Sequence, residues 1–208
     1  MLLFGLVAFV AAVYFNDPRI HALGNTGPLG AIHAQIAPAF TKLIDQIAYS
    51  GVDVRTEICE ALSPGNSVVD LCCGTGLSTP RYKNAIGIDM SPEMLAVARE
   101  VNPVAKFVPG NAESWGADDC CDIATVWFAF HEMPKKARAR IVNNAIRIAR
   151  KGVLVVDISS SFVPARCMLM GEPFLLEYLK EIDTQMDDLG FNREEICLNQ
   201  IAMWYMLL

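Results

Sequence analysis

Nine residues, Val68-Val69-Asp70-Leu71-Cys72-Cys73-Gly74-Thr75-Gly76, constrain this 208-residue chain more than any other stretch. Val68, Val69 and Leu71 suit a strand buried in a parallel sheet. Asp70 falls near the strand's carboxyl end, the edge at which open α/β sheets take ligands. Gly74 and Gly76 permit a sharp turn and a close backbone approach with no Cβ in the way. Ser78 and Thr79 then offer caps for whatever follows, with N–H groups free to meet an anion. A lone G-x-G pair is common, so the flanking residues decide what it means.

Ala85-Ile86-Gly87-Ile88-Asp89-Met90 reads as a second strand ending in an acid. Asp89 follows Asp70 by nineteen positions, close to the ~20 at which an acid on strand two meets ribose hydroxyls. Ser91-Pro92-Glu93 opens the next helix with a cap, a first-turn proline and an acid at the positive end of the dipole. A dinucleotide fingerprint needs a third glycine, and Thr79 stands there instead.

With these residues in place, Asp-Leu-Cys-Cys-Gly-Thr-Gly resembles motif I of the class I S-adenosylmethionine-dependent methyltransferases, most closely the small-molecule, quinone-biosynthesis-like branch. Asp89-Met90-Ser91-Pro92-Glu93-Met94-Leu95 is similar to its second motif, and Gly110-Asn111-Ala112-Glu113 to its third, with Asn111 in place of the usual Asp. The resemblance runs from about Asp53 to the C-terminus. It implies a Rossmann-like three-layer α/β sandwich, with a mostly parallel seven-stranded sheet and an antiparallel C-terminal hairpin. It also implies S-adenosyl-L-methionine as cofactor. Asp70, Cys72, Gly74, Thr75, Gly76 and Ser78 would surround its methionine end, Asp89 the ribose, and Met90, Asn111 and Ala112 the adenine, with Phe128 at the end of strand four. Only Leu77 to Ala85 separate the glycine turn from strand two, room for about one helical turn at Pro80 to Lys83. The cofactor's carboxylate would then lean on Ser78, Thr79 or a residue from elsewhere.

The chain divides into an apolar segment over residues 1–15, a breaker-rich connector over 16–30 and one domain over 31–208, whose cover helices occupy 31–62. Residues 1–15 would span about 22 Å as a helix, short of the ~30 Å hydrocarbon core. They read as a membrane anchor, with a cleaved targeting segment or a helix packed on the domain as alternatives. The expected location is the membrane surface with the domain in a reducing compartment, or otherwise cytoplasmic or organellar. A helix over Ala31 to Tyr49, broken or restarted at Pro38, would present Phe40, Leu43, Ile44 and Ile47 on one face; the resemblance implies a helix that lies over the cofactor and helps form the acceptor pocket, with a plain cover helix as the other reading. Lys135 to Arg150 reads as an amphipathic helix with its basic residues, Arg138 among them, outside, and Glu172 to Leu189 as the last long helix.

Hydrophobic residues make up 53% of the chain and mean hydropathy is +0.31, part of it from the N-terminus; net charge is −6. With no basic field, nucleic acid is not an expected partner. The Asn/Asp-Pro-Pro-aromatic motif of amino-methylating nucleic-acid enzymes is absent after strand four, where Ala129-Phe130-His131-Glu132-Met133-Pro134 stands instead. His131 is the candidate general base, with Glu132 orienting it; capping of the following helix by the pair is the other reading. Phe162, Arg166, Met168 and Met170 are candidates for an acceptor pocket. Seven cysteines without metal-ligand spacing suit buried thiols in a reducing compartment, and no metal site is expected. The expected activity is therefore methyl transfer to a small molecule, whether at oxygen, sulfur or nitrogen. The alternatives are a non-catalytic methyltransferase-like subunit of a membrane-associated assembly and, more remotely, a nicotinamide dehydrogenase.

Overall fold

The computed structural model describes residues 24–48, 53–62 and 64–208; the apolar segment 1–15 and most of the connector lie outside them. Seven strands form one sheet: β1 (Val68–Leu71), β2 (Ala85–Asp89), β3 (Lys106–Pro109), β4 (Cys121–Trp127), β5 (Ala149–Ile158), β6 (Asn192–Cys197) and β7 (Ile201–Leu207). Their spatial order is β3-β2-β1-β4-β5-β7-β6. The first five are parallel, and β7 pairs antiparallel with both β5 and β6. This is the Rossmann-like sheet with a C-terminal hairpin that the motifs imply. Chain order reverses between β1 and β4, so the crevice beyond their carboxyl ends is the natural ligand position.

Period-two alternation assigns the two faces. Val153 and Val155 of β5 join Val69, Leu71, Ala124 and Val126 in the larger core, beneath Ile141, Ala145 and Ile148 of α4 (Lys135–Ile148). Leu154 and Val156 face the other way, with Trp127, Ile201 and Val54 of α2 (Val54–Ala61). In α3 (Pro92–Val101), Ser91 caps as read: its Oγ accepts the Met94 N–H at 3.0 Å.

Three expectations need correcting. No helical turn forms between β1 and β2; residues 72–84 are turns and bends. The first helix, α1 (Gly27–Ala48), begins inside the expected connector and runs unbroken through Pro38. Tertiary contacts outweigh the bond that proline removes: Ala34 packs on Met94 and Val97 of α3, and the Gly27 N–H donates to Glu93 Oε1 at 2.8 Å. The face carrying Phe40, Leu43 and Ile44 stays 62%, 50% and 42% exposed, and Phe40 and Ile44 line the cavity described below. Arg138, expected in solvent, is fully buried. Its Nη1 donates to the Met133 carbonyl and its Nε to Gln185 Oε1 on α6 (Leu175–Asp188), with Tyr178 under the guanidinium. The last long helix is α6, as read, and a short α5 (Arg166–Gly171) forms in the loop before it.

Candidate functional site

The carboxyl edge of the sheet opens into a cavity of about 620 Å³ roofed by α1, within the 300–1,000 Å³ typical of small-molecule sites. One end is built on the glycine turn. Gly74 lies at φ +51°, and a Cβ there would meet no protein atom within 4 Å; Gly74 lines the cavity, so that side chain would fill a cradle meant for something else. Gly76 is different. At φ +72° its Cβ would strike Phe107 Cζ at 2.7 Å, so this glycine serves the packing beneath the turn and is not part of the cavity wall.

Asp89 faces the cavity. Its Oδ2 accepts the Gly74 N–H at 2.8 Å and its Oδ1 the Ser91 N–H at 2.9 Å, which pins the carboxylate to the turn and leaves each oxygen a lone pair. Burial raises its pKa, against the pull of those two donors. Met90, Asn111 and Ala112 border the same end. Asn111 Oδ1 accepts the Glu113 N–H at 2.9 Å, an Asx turn that fixes the loop.

Asp70 sits fully buried at the floor. Thr79 Oγ1 donates to its Oδ2 at 2.5 Å and Thr125 Oγ1 to its Oδ1 at 3.2 Å. Burial outweighs these bonds and raises its pKa to about 7. Two residues beside the cavity hold left-handed backbone without being glycine: Cys72 at φ +62° and Phe128 at φ +49°. Such conformations cost free energy and concentrate where a site dictates the chain's path. Thr75 and Ser78 complete this wall, and Ser78 Oγ accepts from Arg55 Nη1.

At the other end stands His131, in the 3-10 turn Phe130–Glu132. Its Nδ1 lies 2.5 Å from Asp157 Oδ1, while Nε2 is 3.9 Å from Glu132 and 3.7 Å from Glu172. Asp157 also accepts the Phe130 N–H at 2.8 Å and the Ile158 N–H at 2.7 Å, so it fixes ring and loop together. Burial alone would discharge the imidazole; the Asp157 carboxylate, with Glu132 and Glu172, overcomes it and lifts the pKa to about 9. The ring is thus an imidazolium at neutral pH, and Asp157 holds it where the sequence pointed to Glu132. Asp157 carries a signal that sequence reading passed over: a single acid directly after the apolar run Val153-Leu154-Val155-Val156 of β5, as Asp70 follows Val68-Val69 in β1. Met168 lines the cavity, Phe162 packs into the main core, and Arg166 and Met170 are exposed and not in the cavity wall.

Residues 68–152 match the family described as Methyltransferase domain. An uncharacterised methyltransferase of Synechocystis is 34% identical over 123 residues, covering 53% of this chain and 58% of its own. A demethylmenaquinone methyltransferase of Shouchella clausii is 34% identical over 110 residues, covering 47% and 46%. The chain thus spans about half the length of these curated relatives. A solved structure from Thermotoga maritima, described as a methyltransferase that uses S-adenosylmethionine and a possible histamine N-methyltransferase, superposes with a TM-score of 0.58 at 16% identity, covering 85% of this chain and 98% of that one. That likeness is one of fold.

Proposed function

We propose that this chain, which belongs to the class I S-adenosylmethionine-dependent methyltransferase superfamily, methylates a mostly apolar small molecule bearing an ionisable hydroxyl. One observation carries the reading: a single cavity joins the Asp89–Gly74 clamp to the His131–Asp157 pair. The cofactor's sulfonium supplies an electrophilic methyl group. Everything else falls to the protein, which aligns donor and acceptor and keeps water out. Asp89 has the free lone pairs to take both ribose hydroxyls, and Asn111 and Ala112 would hold the adenine edge with Met90 against its face. Gly74 allows the backbone to approach closely.

For the acceptor, α1 contributes Ile36, Phe40 and Ile44 as an apolar wall, and Met168 faces them. His131 already carries a proton, so it serves as a donor rather than as the base. An imidazolium beside a hydroxyl oxygen favours the ionised, more nucleophilic form. Glu132 and Glu172 at the same end are the groups able to receive the hydroxyl proton. The named acceptor of the Shouchella relative, demethylmenaquinone, supports an apolar molecule of this kind.

The test is transfer of a labelled methyl group from S-adenosylmethionine to a panel of quinols, phenols, thiols and amines, with S-adenosylhomocysteine as the second readout. Turnover with a quinol or phenol, falling as pH rises through about 9, is expected. Turnover with amines alone would remove the acceptor assignment. Cofactor binding with no turnover on any class would favour a non-catalytic subunit.

A further inference from the structure

The β1–β2 connection contains no helix, so this chain lacks the helix N-terminus that would offer N–H groups and dipole to an anion at the glycine turn. A cation from outside the sheet stands at the same place. Arg55 of α2 reaches over the turn: its Nη1 donates to Ser78 Oγ, its Nε donates to Asp45 Oδ2 at 3.0 Å, and its guanidinium lies 4.1 Å from the centroid of the Phe128 ring. Ring and two hydrogen bonds hold the guanidinium in one orientation, which lowers the entropy lost on binding. Its Nη2 carries no hydrogen bond among the described residues, and Arg55 lines the cavity between Ser78 and Phe128. Asp45, from α1, lines it too. The Oδ1 of Asp45 is buried with no hydrogen-bond partner among the described residues, a costly state for a carboxylate oxygen until a donor arrives.

We infer that Arg55 and Asp45 form a clamp for the zwitterionic amino-acid head of the cofactor, guanidinium to carboxylate and Asp45 to ammonium, in place of the missing helix end. The inference rests on the cavity being the S-adenosylmethionine site. It also explains why Asp70, fully buried beneath the turn and tied to Thr79 and Thr125, is the floor of this end and not its grip. Because α1 supplies one half of the clamp and α2 the other, the bound head would tie the roof helix to the domain.

Titration calorimetry with two ligands tests it. S-adenosylhomocysteine carries the amino-acid head; 5′-methylthioadenosine has the same adenosyl thioether without it. The wild type should bind the first more tightly. Arg55→Met should weaken S-adenosylhomocysteine by about ten- to a hundredfold, the range for charge-assisted hydrogen bonds, and leave 5′-methylthioadenosine within about twofold. Asp45→Asn should show the same pattern with a smaller loss. Equal losses on both ligands would mean that Arg55 only shapes the cavity, and no loss on either would mean that it faces away; each overturns the clamp. Failure of the wild type to bind either ligand would instead overturn the cofactor assignment. Unchanged 5′-methylthioadenosine affinity doubles as the check that the variants are folded.

Discussion

Half-buried Asp89 and buried His131 show how two charges of opposite sign divide one cavity. The Asp89 carboxylate accepts two backbone N–H groups from residues that themselves form the cradle, so on the proposed reading its removal would take away the ribose contacts and loosen the turn. Asp89→Ala should weaken S-adenosylhomocysteine binding by about a hundredfold or more in calorimetry, since hydrogen bonds to a charged group contribute about 1.5–3 kcal/mol each; unchanged affinity would remove the ribose assignment. His131 makes a pH-dependent contribution. Its pKa in the folded protein, about 9, lies above the ordinary 6.5. The stabilisation is therefore fully present below pH 6.5 and is lost as pH rises through 9. At about 1.4 kcal/mol per unit its ceiling is on the order of 3 kcal/mol. Urea midpoints measured from pH 6 to 10 should fall more steeply for the wild type than for His131→Asn. Parallel curves would mean that the ring is neutral in the folded state.

At the scale of elements, the glycine turn separates folding from binding within three residues. Gly76→Ala adds a Cβ against Phe107 at a left-handed φ and should cost about 1–3 kcal/mol in urea unfolding. Gly74→Ala adds one that touches no protein atom. It should keep most of the stability, apart from about 1 kcal/mol of left-handed strain, while weakening cofactor binding. If both variants lost stability and binding in the same proportion, the turn would have no such division. Spacing along the chain made this element legible, because Asp70, Gly74 and Asp89 act through positions on one strand–turn–strand unit. The sheet and its hairpin followed from the resemblance that those motifs carry, with individual strands legible in their apolar runs. What sequence could not reveal were partners brought together by the fold. Asp157 lies 26 positions from His131 and meets it only when β5 lines up beside β4. Arg138 sits on a basic helix whose pattern reads as solvent-facing; only the approach of α6 buries it and supplies Gln185 and Tyr178. Arg55 and Asp45 belong to no motif, and it is the approach of α2 to α1 that pairs them.

Across the whole molecule, the sheet and the roof differ in how firmly they are held. Strands β1, β4 and β5 are bonded on both sides and buried on both faces. α1 instead rests on α3 through Ala34, on hydrogen bonds near Gly27 and on the Arg55–Asp45 ion pair, with Ile32, Ile36 and Phe40 at least half exposed. Few buried contacts and an exposed apolar row mark an element drawn from the low-stability end of the protein. A ligand that touches Asp45 and Ile36 from below adds contacts to α1 that the empty domain lacks, so its local opening free energy should rise with occupancy. Hydrogen exchange followed by mass spectrometry should show α1 amides slowing by about tenfold or more on saturation with S-adenosylhomocysteine. Amides of β4 and β5, already protected, should slow only as far as global stability increases. The same experiment with 5′-methylthioadenosine should protect the Gly27 end of α1 and leave the Asp45 end fast, because that ligand has nothing to offer the clamp. Uniform protection of α1 by both ligands would show the roof closing as a rigid body on the adenosine alone, without help from the amino-acid head.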